Sequence, residues 1–336
     1  MMIDYQIITS PHTGYDQFVA SHRNGHLFQS YAWGQLKRSF GWEPLLIILV
    51  DRHTILAAMS MLKYPWINQT SILYAPRGPV FDGRNDDVFQ ALLAAIQQVA
   101  RKEKSIFLKI DPAVSHNNYC FHRSLTNIGF RQVNSNTPQK TLQAVTVYRL
   151  SLPYTNPSHV NLINYISQRE QLCIEHCNSL QMLKVFYALL LEYTSLTSVK
   201  IRSFAYFEQL WDLFSTSHCY LFLVRRRTHI IGGSLVICFG SVCYSLYTLC
   251  RKNRQDLFPD SYLHLTIMEW AAGHGYKTYE IIDTLLINHK KASNHSRLLS
   301  FPVEPFTYLG EYDLVFSPWQ YRLWNVAQPI YHWSCS

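Results

Sequence analysis

Arg202 stands one helical turn ahead of Tyr206 in Ile201-Arg-Ser-Phe-Ala-Tyr-Phe207. Its planar fork of donors matches a phosphate or carboxylate, and a helix start adds unpaired backbone N–H groups that also favour an anion. Taken alone, the pair is equally a surface arginine beside a core tyrosine. Lys37 closes Trp33-Gly-Gln-Leu-Lys37 on an amphipathic stretch, and Asp111 ends an apolar run just before Pro112. Arg225-Arg-Arg227 and Arg251-Lys-Asn-Arg254 follow adjacent apolar runs and could form a basic rim, although charge runs in turns are usually only solvated. His22 and His26 have metal-ligand spacing on a helix face, but no third ligand motif accompanies them, so no metal site is expected. Neither a Gly-x-Ser-x-Gly elbow nor the Cys/His signature of a thiol enzyme is present.

Hydrophobic periodicity supplies the elements that must hold these side chains. In the first half, strands are expected over 45–50, 55–62 and 72–75, then a helix over 86–104 and a strand over 106–110. Val88, Leu92, Ile96 and Val99 share one face of that helix, and Asn85 is its cap. The second half repeats the order: strands over 219–224, 229–239 and 242–249, a helix over 261–275 and a strand over 279–283. Helical segments precede each repeat, at 31–40 in the first half and at 180–193 and 204–214 in the second. The same order occurring twice points to duplicated domains. The Pro- and Asn-rich stretch Pro153-Tyr-Thr-Asn-Pro157 reads as the linker, giving domains 1–152 and 153–336. Gly232-Gly233 lacks a phosphate-loop context and reads as a strand bulge.

A chain of 336 residues, 48% of them hydrophobic, has material for two ordinary cores. The balance of 30 Lys and Arg against 22 Asp and Glu gives +8, which favours polyanionic partners. No secretory leader pattern opens the sequence, and no apolar run approaches the roughly 18 residues that span a bilayer, so a cytoplasmic protein is expected. The eight cysteines lack framework spacing and read as reduced core thiols.

Four segments, in order, resemble the FemABX family. They are Phe28-Gln-Ser-Tyr-Ala-Trp-Gly-Gln-Leu-Lys37, Ala57-Ala-Met-Ser-Met-Leu62, Ile72-Leu-Tyr-Ala-Pro-Arg-Gly-Pro-Val-Phe-Asp82 and Leu108-Lys-Ile-Asp-Pro112. That family moves an amino acid from aminoacyl-tRNA onto the peptide of a cell-wall precursor. The periodicity, helices then an antiparallel meander then a helix and a strand, separately resembles the acyl-CoA N-acetyltransferase (GNAT) fold. The expected fold class is therefore α/β (α+β): two tandem GNAT-like domains, each a mixed, mostly antiparallel sheet flanked by helices. The segment 169–192 is too short for the coiled-coil arm of some relatives, which places the chain with the compact, armless branch.

The resemblance implies roles residue by residue. Lys37 would bind the nucleotide or diphosphate of the precursor, and Arg202 with Tyr206 its phosphates. Tyr247 falls where the family has a strand tyrosine, but the small residues that follow it there are replaced here by Thr248, Leu249 and Cys250. Asp111 stands at the family's Asp-Pro, as a proton acceptor, an orienting group for the peptide, or a carboxylate that orders the strand end. Tyr308-Leu-Gly-Glu-Tyr-Asp313 keeps a further family element, and spacing puts Arg297 where the family has a lysine facing the tRNA acceptor end. The catalytic assignments are thus Arg297 and Asp111, and the binding residues Lys37, Arg202, Tyr206 and Tyr247.

The implied reaction is attack of an amine on an activated ester. A lysine-type amine is deprotonated in only about one molecule in 2,500 at pH 7, so desolvation or a base must assist, and the tetrahedral oxyanion must be stabilised. Expected partners are aminoacyl-tRNA as co-substrate, with no cofactor, and a peptidoglycan precursor, either lipid II or UDP-MurNAc-peptide, held in a cleft between domains. A monomer touching the inner membrane surface completes the expectation. The alternatives are a precursor-binding module without transferase activity and an acyl-CoA-dependent N-acyltransferase.

Overall fold

The computed structural model describes residues 3–8, 12–83, 85–133, 145–195, 201–251, 259–282 and 305–327. The chain divides into two compact units, Met1–Val145 with Thr307–Ser336, and Thr146–Phe306.

The first unit is built on β1 (Ile3–Ile8), β2 (Glu43–Asp51), β3 (Thr54–Pro65), β4 (Ser71–Arg77), β5 (Val80–Phe81), β6 (Ser105–Pro112) and β7 (Arg131–Gln132), with a later strand described below. Helices α1 (Thr13–Ser21), α2 (Tyr31–Arg38), α3 (Asp86–Lys102) and α4 (Tyr119–Asn127) accompany it. Strand pairing is antiparallel except for β4 and β6, which run parallel because α3 carries the chain back across the sheet. Asn85 caps α3 by accepting from the N–H groups of Asp87 and Val88. The expected stripe Val88, Leu92, Ile96 and Val99 is buried against Ile47, Met59, Leu73 and Leu108 of the sheet.

The second unit contains β8 (Thr146–Ser151), β9 (Leu172–Cys177), β10 (Cys219–Arg226), β11 (His229–Phe239), β12 (Val242–Cys250), β13 (Thr278–Ile281) and β14 (Pro305–Thr307). Its helices are α5 (Pro157–Arg169), α6 (Leu180–Ser195), α7 (Phe204–His218) and α8 (Pro259–Gly273). The strand order is β14-β8-β13-β12-β11-β10-β9. Here β12 and β13 form the parallel pair, across α8, and Leu263, Ile267 and Ala271 of α8 enter the core with Val236 and Tyr279. Each unit therefore has the helix-crossed parallel pair within a mostly antiparallel sheet, the GNAT-like arrangement anticipated from the repeat.

Two expectations about organisation are corrected. The chain after Thr307 returns to the first unit: β15 (Tyr312–Val315) pairs antiparallel with β6 and β7, and α9 (Pro318–Ala327) packs Trp324 against Ile72, Ile106 and Phe107. The stretch 153–157 is no linker, since Asn156 caps α5 with Pro157 in its first turn and β8 ahead of it already belongs to the second sheet. Gly232 lies beside the register shift between Val224 and Arg225; a Cβ there would come within 2.3 Å of the Leu249 carbonyl oxygen.

Candidate functional site

In the first unit the motif residues converge where β3 and β4 part. Backbone pairing between these strands extends from Pro65 and Ser71 to Leu62 and Tyr74. The Gln29 amide takes over beyond that point: it donates to the carbonyls of Ser60 at 3.0 Å and Pro76 at 2.7 Å, and accepts from the Ser60 N–H at 2.8 Å. A side chain thus replaces the ladder, and the ends of β4 and β6 are free to carry other groups.

At those ends sit Arg77 and Asp111. Asp111 Oδ1 accepts the Arg77 N–H at 2.8 Å, while Oδ2 lies 3.4 Å from Arg77 Nη1. Arg77 has φ of +58°, a left-handed conformation that a non-glycine residue holds only when its surroundings impose it. Its guanidinium lies 3.9 Å from the ring centroid of Tyr308, which reaches this place through a bridge to Ser115. Burial, with the Glu311 carboxylate adding to it, pushes the Asp111 carboxyl up to about 7 against the opposing pull of Arg77. Asp111 is only 2% exposed, so its geometry is that of a carboxylate ordering the strand end. Neighbouring Lys109 is buried between Glu311 at 3.1 Å and Asp313 at 2.8 Å, and Tyr321 donates to Asp313 at 2.6 Å. Residue-type reasoning did not single out Gln29, Arg77, Tyr308 or Lys109, although all four lie inside the motifs that signalled the family.

Lys37 lies in the last turn of α2 as a buried side chain, with Nζ 5.4 Å from the Trp33 ring centroid. It is not the solvated lysine that an amphipathic helix alone would give.

In the second unit Arg202, Tyr206 and Tyr247 come together. Arg202 precedes α7 and is held by its carbonyl, which accepts from the Tyr187 hydroxyl at 3.0 Å. Its guanidinium lies 5.3 Å from the Tyr206 ring centroid, and its Nη1 is buried without a hydrogen-bond partner among the described residues. Tyr206 and Tyr247 are buried near one another; Phe207 contacts Tyr247 at 4.8 Å between centroids. Burial, reinforced by Tyr247, raises the Tyr206 hydroxyl far above its ordinary range, so it remains a neutral donor. The position of Thr248, where a small residue was expected, closes a buried hydroxyl triangle with Ser234 at 2.9 Å and Ser245 at 2.7 Å.

The other sequence candidates divide. Arg225 is 2.8 Å from Glu175, Arg226 pairs with Glu170 and Arg251 with Glu192, so three cations of the expected basic rim are matched by acids. Arg297, Arg254 and Lys252 lie outside the described residues. His26 Nδ1 accepts the Phe28 N–H and His22 Nδ1 the Asn24 N–H, and among the described residues no group of three or more His, Cys, Asp or Glu is placed to hold a metal. The seven described cysteines are free thiols, with Cys120 and Cys173 at the surface instead of in the core.

The two units define a protein class, the tandem GNAT-like proteins, and comparison with known proteins narrows it. Residues 11–147 match the FemAB family and residues 169–284 an acetyltransferase (GNAT) domain. Over 400 aligned positions the sequence is 24% identical to a lipid II:glycine glycyltransferase of Staphylococcus epidermidis, spanning 95% of this chain and 92% of that one. The Staphylococcus aureus protein of the same name is 22% identical over 404 positions, with 94% of each chain covered. The crystal structure of FemX superposes with a TM-score of 0.82 at 19% identity, covering 95% of this chain and 99% of that one. The chain is thus similar to the FemAB family over 11–147 and to the staphylococcal glycyltransferases along nearly its whole length.

Proposed function

We propose that this protein is an aminoacyltransferase of peptidoglycan assembly, moving an amino acid from aminoacyl-tRNA onto the stem-peptide amine of a lipid-linked or nucleotide-linked precursor. The observation that carries the reading is the buried, unmatched Nη1 of Arg202 beside Tyr206 and Tyr247: a guanidinium donor kept from water gains most from an anion such as a diphosphate. The FemAB match over 11–147 and the glycyltransferase activity named for the staphylococcal relatives support the reaction class. Lys37, buried at the end of α2, is assigned separately to the nucleotide or diphosphate.

In this reaction the amine nitrogen bonds the ester carbonyl carbon, the carbonyl becomes a tetrahedral oxyanion, and the C–O bond to the tRNA ribose breaks. The amine proton leaves with the ribose oxygen, and the products are an amide and uncharged tRNA. The ester supplies the driving force, so no cofactor is required. Arg297 is assigned to the developing charge. Asp111 acts as a positioning residue: with Arg77 it fixes the ends of β4 and β6, instead of taking a proton directly.

One observation favours an acyl-CoA donor instead: Arg225, Arg226 and Arg251 are matched by acids, leaving less charge for tRNA. The decisive experiment incubates the protein with a charged-tRNA pool and a synthetic precursor and weighs the product. The expected result is a mass gain of one or more amino acids, abolished by ribonuclease. Transfer from acyl-CoA in the presence of ribonuclease would select the other donor; binding of precursor with no transfer from either would select the binding module.

A further inference from the structure

Helix α9 presents an apolar face that nothing described covers. Its inner side carries Trp324, which meets Trp66 at 4.5 Å and Phe107 at 5.9 Å between ring centroids. On its outer side Trp319, Leu323 and Val326, spaced four and three residues apart, are 63%, 50% and 79% exposed. Ile67, adjacent to Trp66 in a single helical turn (Ile67–Gln69), is 51% exposed and extends the apolar ground beside the helix. Large side chains at this spacing on one helix face ordinarily enter a core, and here the core side of the helix is already occupied by Trp324.

The charges nearest this face are mostly positive. Arg322 is the sole ionisable cation of α9, and the helix holds no acid. Lys104 projects beside Gln69, with Arg101 and Lys102 exposed just before it, while Glu103 in that run shares Lys63 with Glu43, at 2.6 and 2.9 Å, so that with Arg322 the cations outnumber the acids.

We propose that the outer face of α9 docks on the surface of an anionic phospholipid bilayer. Tryptophan beside aliphatic residues, rimmed by Arg and Lys, is the composition that settles at the boundary between headgroups and acyl chains. A helix of ten residues is too short to cross and lies in the plane of that boundary. No described helix is long and apolar enough to cross a membrane, so surface docking is the mode open to α9. The inference stands on this surface alone. It would place the protein beside a lipid-linked substrate, yet vesicle binding is read without any substrate, so either reading can fail without the other.

The test is co-sedimentation of the full chain with vesicles of mixed phosphatidylglycerol and phosphatidylcholine, against phosphatidylcholine alone. Wild type should partition onto the anionic vesicles. Leu323→Glu should weaken partitioning on the order of tenfold or more, the loss expected when one buried leucine is withdrawn. Arg322→Glu should weaken it less and in a salt-dependent way. Both positions are exposed, and unchanged circular dichroism and melting confirm the fold. Wild type remaining in the supernatant would overturn the proposal, as would equal binding by Leu323→Glu. Light scattering that shows a dimer lost in Leu323→Glu, without vesicle binding, would assign the face to a second copy. A chain ending at Ala327 should keep the Leu323-dependent binding; binding that disappears with residues 328–336 while surviving Leu323→Glu would move the contact off the helix.

Discussion

Replacing Asp111 with Asn should remove most of one pH-dependent contribution to the stability of the first unit. In the unfolded chain this carboxyl titrates near 3.8, whereas in the fold burial and Glu311 hold it at about 7. Between those values the unfolded chain has released the proton and the folded chain has kept it, so the folded state binds more protons and stability falls as pH rises. At about 1.4 kcal/mol per pH unit the rise is worth roughly 4 kcal/mol, fully present below pH 4 and lost as pH climbs through 7. Asn is a neutral near-isostere of the protonated acid. It can still accept the Arg77 N–H that Oδ1 now accepts at 2.8 Å. The variant should therefore resemble wild type below pH 4, exceed it by about 1–2 kcal/mol at pH 5 and by up to roughly 4 kcal/mol at pH 8. Removing the carboxylate from Arg77 adds a cost at the higher pH and reduces that gain, so the readout is the change in the gap between the two proteins. Urea denaturation of both, followed by tryptophan fluorescence at several pH values, measures it. A gap that stays constant from pH 5 to 8 would mean that Arg77 keeps Asp111 ionised throughout, and the burial argument would be wrong.

In the second unit, His264 donates to or accepts from Tyr279 at 2.7 Å and is held down to about 4 by burial, so its contribution is present above pH 6.5 and lost as pH falls through 4. His264→Phe should flatten the acid side of the stability curve by roughly 3 kcal/mol, offset by lost packing that does not depend on pH. Arg202→Ala should weaken binding of a nucleotide-linked precursor about 10- to 150-fold by calorimetric titration, and Arg202→Lys should recover only part because the fork is lost. Lys37→Ala should show a loss of similar order, and unchanged affinity in both would remove the proposed phosphate contacts. Arg149→Met should destabilise the second unit by about 3–5 kcal/mol, because it removes the cation paired with fully buried Glu280, whose Oε2 is 2.8 Å from Arg149 Nε; urea denaturation at neutral pH would show it.

Local sequence carried what depends on neighbours along the chain. The stripe of α3 with its Asn85 cap and the two meanders follow from periodicities that a few residues set by themselves. The family motifs added Lys37, Arg202 with Tyr206, and Tyr247, because a run of residue types preserves what spacing alone leaves open. Tertiary structure decided the rest. Lys109 meets Glu311 across 202 positions of sequence, and that contact exists only because β15 returns to β6. Nothing in the local pattern of 307–327 distinguishes a strand of one sheet from a strand of the other. Gln29 could be recognised as a strand clamp only once β3 and β4 were seen to part around it. The arginines of the supposed rim read as free charge in sequence and become ion pairs in the fold, since Glu170, Glu175 and Glu192 lie far from them along the chain and next to them in space. Periodicity reports which face of an element is buried; which element buries it, and which charges it meets there, is fixed by long-range packing.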